Sequence, residues 1–150
     1  MNDAIISGTT YSVPFKYKYP TNALAVTAGV TEYQTVMRLA EQYLIRAEAR
    51  ARIGTNLSGA LSDLNVIRSR AGVATSTTTV AATLLDEIAL ENRKELFCEQ
   101  AFRWFNLKRT GQADAVIGAL KTTYKPTAKL LPIPQSAIDA NPNLTQNPGY

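Results

Sequence analysis

Three carboxylates recur at four-residue spacing within residues 91–111, ENRKELFCEQAFRWFNLKRTG: Glu91, Glu95 and Glu99, with Arg103 four residues further on. Glycosidases use two carboxylates flanking the scissile bond, one of them a general acid. On a helix the same spacing builds a ladder of ion pairs, and Glu99 to Arg103 is the favourable i to i+4 order. The structural reading needs fewer conditions, and the sequence favours it over catalysis. Cys98 lies in the same stretch, but a thiol with no histidine to activate it reads as a small packed side chain rather than a nucleophile. Trp104, between Phe102 and Phe105, is a possible platform for a sugar ring, although aromatic residues at helical spacing more often pack inward. Arg103, Lys108 and Arg109 are suited to a phosphate or carboxylate. Lys108 and Arg109 just before Gly111 are explained more simply as a helix end whose dipole they complement.

Composition closes several other routes. The 150 residues contain no histidine, which removes histidine-based triads and histidine-ligated metals. No Gly-rich phosphate loop, zinc spacing or calcium loop is present, and no cofactor is implied. The excess of 16 basic over 12 acidic residues is scattered in mixed sign, which argues against nucleic acid as a partner. Hydrophobic residues at 45% and charged residues at 19% are ordinary for one globular domain. No apolar run approaches the roughly 20 residues needed to span a bilayer, and the N-terminus shows no basic-then-apolar signal pattern.

The elements that must position these residues are mostly helical. Residues 1–30 read as irregular or as a short edge strand, with Val13, Phe15, Tyr17 and Tyr19 alternating against Ser12, Pro14, Lys16 and Lys18. Residues 31–72 read as a helix hairpin. Thr31 and Gln34 make a capping-box signature. Val36, Leu39, Ala40, Tyr43, Leu44, Ala47 and Ala51 then form one apolar stripe, and Gly54 ends it. Asn56 caps a second helix with the stripe Leu57, Ala60, Leu61, Leu64 and Ile67, which stops at Ala71 and Gly72. Small alanines beside Tyr and Leu resemble one tetratricopeptide-type unit, which needs neighbours to bury its face.

Residues 73–82 read as a solvated loop, and residues 83–120 as helices, a long central one starting from Thr83 as N-cap. On that helix Leu84, Leu85, Ile88, Ala89 and Leu96 share one face while Leu90, Phe97 and Ala101 share another, as in a sandwiched helix. The wheel places Glu91, Glu95 and Glu99 beside the apolar face. Buried carboxylates need cations, so Arg103, with Arg46 or Arg50 of the first helix, is expected against them as a structural ion-pair network. Gln112 begins a last short helix. Residues 121–150 read as an extended tail with a single turn over Ser136 to Asp139, because its many prolines forbid regular helix. Leu130, Leu131, Ile133, Ile138, Leu144 and Tyr150 are its expected apolar feet.

Three blocks in order carry a family resemblance: RLAEQYLIRAEARARIG with ALSDLNVIRSRAG, then ENRKELFCEQAFRWFNLKRTG, then LLPIPQSAIDANPNLTQNPGY. Together they resemble the C-terminal part of SusD/RagB-type proteins, the glycan-capturing outer-membrane lipoproteins of Bacteroidetes. Matching positions include Arg46, Arg68, Arg70, Glu91, Glu95, Glu99, Arg103, Arg109, Pro132, Gln146, Asn147 and Gly149. Gln100, Ala101 and Phe102 stand where many relatives carry Gly, often followed by His, and Asn106 stands where Asp is usual. The resemblance implies a mainly α, tetratricopeptide-like fold with little or no β at the N-terminus and no enzymatic activity. It also implies an oligosaccharide or other nutrient as ligand, a TonB-dependent SusC-like transporter as partner, and a place at the cell surface on the outer membrane. Family chains are several times longer and carry a lipidated Cys near the N-terminus, so the resemblance implies a C-terminal piece or a reduced relative. It assigns no ligand-binding residue. The alternative reading is a helical-repeat module that binds a protein or peptide.

Overall fold

Gly54 and Asn56 set the hairpin on which the first part of the chain is built. The structure is a computed structural model that describes residues 2–14, 16, 18–19, 22–30 and 35–150. Helix α2 (Leu39–Ile53) ends on Gly54, whose φ of 79° places it in the left-handed region that glycine enters without steric cost. Helix α3 (Leu57–Arg70) starts two residues later, where the Asn56 side chain accepts the Gly59 N–H at 2.9 Å. Ala71 and Gly72 close α3. So short a connection brings the two helices back against each other.

The stripe read from the sequence is the buried face. Ala40, Leu44, Ala47 and Ala51 of α2 meet Ala60, Leu64 and Ile67 of α3, and Leu84 and Ile88 of α4 (Ala81–Glu95) complete the core. Leu44, Leu64 and Leu84 are fully buried, each contributing about 1.5–3 kcal/mol by removal from water. The small alanines let α2 and α3 approach closely. Val36 and Leu39, at the head of the expected stripe, are exposed. Helix α2 begins on Arg38, which supplies no side-chain cap; the capping-box residues 31–34 lie outside the described residues.

At the N-terminus, β1 (Asn2–Ile6) pairs antiparallel with β2 (Thr9–Val13). Ser7 and Gly8 both have positive φ, the backbone that a two-residue hairpin loop requires. The strand therefore ends at Val13, where the alternation of Val13 to Tyr19 had placed its beginning; Phe15 and Tyr17 lie outside the described residues. Helix α1 (Asn22–Thr27) follows. Among the described residues this two-stranded sheet is the only one, and the fold is mainly α and tetratricopeptide-like.

Several expectations around α4 are corrected. The helix begins on Val80, not Thr83. The loop before it is tied down: the Asn65 amide donates to Ser76 O at 2.9 Å and accepts from Ser76 N at 2.8 Å, and Arg68 Nε donates to Ala74 O at 2.7 Å. Helix α4 also stops at Glu95, and α5 (Phe102–Arg109) begins after a run of turns. Only one apolar face of α4 is packed, while Leu90 and Phe97 are exposed.

The described chain divides into two units, Met1–Cys98 and Glu99–Tyr150. The second contains α5, α6 (Ala113–Leu120), a 3-10 turn (Pro126–Lys129) and α7 (Gln135–Ala140). Leu107 and Ala113 are its buried apolar residues, and Leu130, Leu131, Leu144 and Tyr150, expected to anchor the tail, are exposed.

In the turns between α4 and α5, Cys98, Gln100 and Ala101 have φ of 58°, 41° and 54°. Each non-glycine residue in this region costs about 1–2 kcal/mol. Ala101→Gly removes that strain but loosens the unfolded chain by about 0.4–1 kcal/mol, so a net stabilisation of roughly 0.5–1 kcal/mol is expected in urea denaturation. A loss of stability on this substitution would show that Ala101 is not strained.

Candidate functional site

Asp63, a buried carboxylate paired with two arginines, interrupts the apolar stripe of α3 and is 3% exposed. A turn of α3 aims it at α2. There Arg46 donates from Nε and Nη2 to its two oxygens at 2.9 and 2.7 Å, and Arg50 Nη1 adds a third bond at 2.7 Å. Arg50 also reaches the Gly59 carbonyl at 3.2 Å, inside the first turn of α3. The Arg46 guanidinium lies 5.1 Å from the centre of the Tyr43 ring, and its bond to Asp63 holds its proton more firmly than in a free arginine. Arg46 and Arg50 were expected against the α4 carboxylates; they brace α2 to α3 instead. Asp63 was not singled out from the sequence, and its position in the stripe was the signal.

The carboxylates of α4 find other arginines. Glu91 is 5% exposed and sits 3.5 Å from Arg68 Nη1. Glu95 Oε2 accepts Arg70 Nη2 at 2.6 Å and its Oε1 lies 3.2 Å from Arg38 Nη2. The Glu95 backbone carbonyl accepts both Arg38 Nη2 at 2.6 Å and Lys16 Nζ at 2.8 Å. Glu91 and Glu95 therefore share a helix but are turned to different arginines. Glu99 lies past the end of α4, so it does not continue their wheel, and Glu99 and Arg103 do not belong to one helix. Glu91 Oε2 faces Arg68, and the two oxygens of Glu95 face Arg70 and Arg38, the arrangement of a structural brace.

The remaining candidates also change character. Cys98 is exposed in a turn, not packed in a helix. Trp104 is half-buried with Lys108 Nζ 5.7 Å from its ring centre, and Phe105 is exposed. Arg109 Nη2 donates to Asn106 Oδ1 at 2.7 Å, so a neutral amide is its acceptor. Among the described residues, no group of three or more His, Cys, Asp or Glu is placed to hold a metal ion, and no helix is long and apolar enough to cross a membrane.

Open concavities among the described residues of the first unit include a pair of similar size. One of about 360 Å³ is lined by Leu39, Gln42, Tyr43, Ile45 and Arg46 on α2. The other, about 330 Å³, is lined by Lys16, Arg38, Ala71, Val73, Glu91, Lys94 and Glu95.

In the second unit the tail is held by polar bonds. Asp114 accepts Lys129 Nζ at 2.6 Å and the Tyr124 hydroxyl at 2.8 Å. Gln146 bonds the Ile133 backbone from both ends of its amide, Asn147 Nδ2 donates to Leu131 O, and the Tyr150 hydroxyl donates to Leu130 O. Lys129 first, then Tyr124, hold the Asp114 carboxyl below its ordinary 3.8. Burial first, then the bond to Asp114, raise Tyr124 above its ordinary 10.0.

The signs give a window. The Asp114 contribution is complete above its unfolded value and lost as pH falls through the folded one. That of Tyr124 is complete below its unfolded value and lost as pH rises through the folded one. The tail anchor is thus expected to hold across neutral pH and to loosen at both extremes. A carboxyl titration of Asp114 by NMR should lie below that of an unfolded-peptide reference, and Lys129→Ala should raise it; a titration unmoved by Lys129→Ala would contradict this.

Comparison with known proteins supports one assignment. The SusD family profile matches residues 2–150. The chain is 32% identical over 127 residues to the SusD-like protein P2 of Formosa agariphila, covering 76% of this chain and 25% of that one. It is 34% identical over 127 residues to the starch-binding protein SusD of Bacteroides thetaiotaomicron, covering 77% of this chain and 21% of that protein. Among solved structures, a SusD superfamily protein from Parabacteroides distasonis superposes with a TM-score of 0.65 at 34% identity, over 77% of this chain and 27% of that one. A SusD homolog from Bacteroides thetaiotaomicron gives 0.67 at 27% identity, over 98% and 28%. The chain therefore spans about a quarter of the length of the relatives it matches.

Proposed function

The chain belongs to the SusD family, and on that premise we propose that it is the scaffold portion of a non-catalytic glycan-binding component in an outer-membrane nutrient-uptake system of Bacteroidetes. The observation that carries this reading is the family match over residues 2–150, joined by 34% identity to a protein named for binding starch. The internal geometry supports the scaffold role. The buried or half-buried carboxylates Asp63, Glu91 and Glu95 are turned to arginines of neighbouring elements, which braces helices.

The ligand of this reading is an oligosaccharide, starch-type glucans being the first to try. Its partner is a TonB-dependent transporter of the SusC type, and its place is the cell surface. On this reading Glu91 and Glu95 have a structural role, through Arg68 for the first and Arg38 and Arg70 for the second. Calorimetric titration and a glycan array on the protein that carries this chain test the function. Saturable binding to at least one oligosaccharide without its turnover is expected. Binding to peptides and to no saccharide would replace the reading with that of a helical-repeat interaction module. Hydrolysis lost on Glu95→Gln with the fold intact would overturn the non-catalytic assignment.

A further inference from the structure

The backbone carbonyl of Glu95 is the atom that would accept the Glu99 amide if α4 ran on for another turn. In this structure it accepts Arg38 Nη2 and Lys16 Nζ instead, at 2.6 and 2.8 Å. Arg38 is held there by Glu95 Oε1 at 3.2 Å. Nothing in the following residues ends a helix: residues 96–101 hold no glycine or proline, and Leu96, Glu99, Gln100 and Ala101 are good helix formers. The chain nevertheless turns, with three non-glycine residues at positive φ.

We infer that Arg38, helped by Lys16, is a side-chain helix stop that makes residues 96–101 a two-state element, bent while the Glu95 carbonyl is occupied and helical once it is released. The two states are closely matched. Charge-assisted hydrogen bonds to the last carbonyl of α4 favour the bend, and the return of Cys98, Gln100 and Ala101 to right-handed backbone favours the helix. Opposed terms of similar size in a short segment make a conformational switch. The concavity that Arg38, Lys16 and Glu95 help to line leaves the stop open to solvent and to competing anions. This inference does not depend on the glycan-binding assignment.

Amide hydrogen exchange on the full chain tests it. In Arg38→Ala the amides of residues 99–102 should exchange on the order of tenfold more slowly for each strained residue that returns to helical backbone, while α2, α3 and the body of α4 keep their protection. Lys16→Ala, at an exposed side chain, should give the same change at smaller amplitude. Adding Gln100→Gly and Ala101→Gly to Arg38→Ala should abolish the gain, because glycine rests in the bend without strain and weakens a helix. Unchanged or faster exchange at residues 99–102 overturns the inference, as does a gain that survives the two glycines. If Arg38→Ala loses protection throughout the helices, Lys16→Ala decides, and no gain there overturns it.

Discussion

Asp63→Ala is expected to lower stability by about 2–3 kcal/mol, more than any surface acidic residue should. Breaking a fully buried ion pair by removing one partner costs roughly 3–5 kcal/mol, because a charge is left without compensation. At this site the discount is physical. The side chain of Asp63 is 5% exposed, whereas those of Arg46 and Arg50 are 54% and 32% exposed, so the arginines swing back to water when the carboxylate is gone. The remaining loss comes from three charge-assisted bonds that tie α2 to α3. Asp63→Asn should recover little, since an amide offers one acceptor to three donors and turns an N–H₂ towards guanidinium groups. Urea denaturation checks this: the midpoint should fall with the slope unchanged. A loss below about 0.5 kcal/mol, the range of ordinary surface sites, would mean that the arginines brace the hairpin without it.

Periodicity and punctuation made the helix hairpin legible. Gly54, Asn56 and Gly72 each perform a backbone task that few other residues perform, and the stripe from Ala40 to Ile67 is the face that packs. The family was legible for a different reason, the order of three motifs. The bend after Glu95 was not legible, because its positive-φ positions hold no glycine and two of them, Gln100 and Ala101, are residues whose local preference is helical. Propensity pointed one way and tertiary hydrogen bonds to the Glu95 carbonyl point the other.

The charge pairing was missed for a related reason. A helical wheel shows which residues share a face, but not which neighbouring helix supplies the cation. The sequence offers several arginines to each of these buried carboxylates, and the structure distributes them by helix contact. Arg46 and Arg50 go to Asp63 across the hairpin, Arg68 goes to Glu91, and Arg38 and Arg70 go to Glu95. The tail shows the same limit from the apolar side. Leu131 is 80% exposed, so its hydrophobicity was a poor guide to what fixes the segment.

What fixes that segment leads to the other large effect. Gln146→Ala is expected to cost about 2–3 kcal/mol of local stability in the tail, from three bonds at roughly 0.5–1.5 kcal/mol each. Its Oε1 accepts the amides of Ile133 and Asn147 at 2.8 and 2.9 Å, and its Nε2 donates to Ile133 O at 2.9 Å. One side chain thus supplies Ile133 with both an acceptor and a donor, as a paired strand would. Its removal leaves a half-buried N–H and C=O without these partners. Gln146→Glu separates the two functions. A carboxylate still accepts from the Ile133 and Asn147 amides, but it cannot donate, and it sets a negative oxygen against the Ile133 carbonyl. Gln146→Glu should therefore be destabilised at neutral pH and recover part of the loss as its carboxyl is protonated in acid, where the anchor at Asp114 is still held by its depressed titration. Limited proteolysis reads the outcome directly. Cleavage within residues 130–150 should become faster in both variants, while the Asp63-braced hairpin stays protected. Equal resistance in the wild type and Gln146→Ala would show that the clasp carries no stability of its own, and that the prolines alone keep the tail in place.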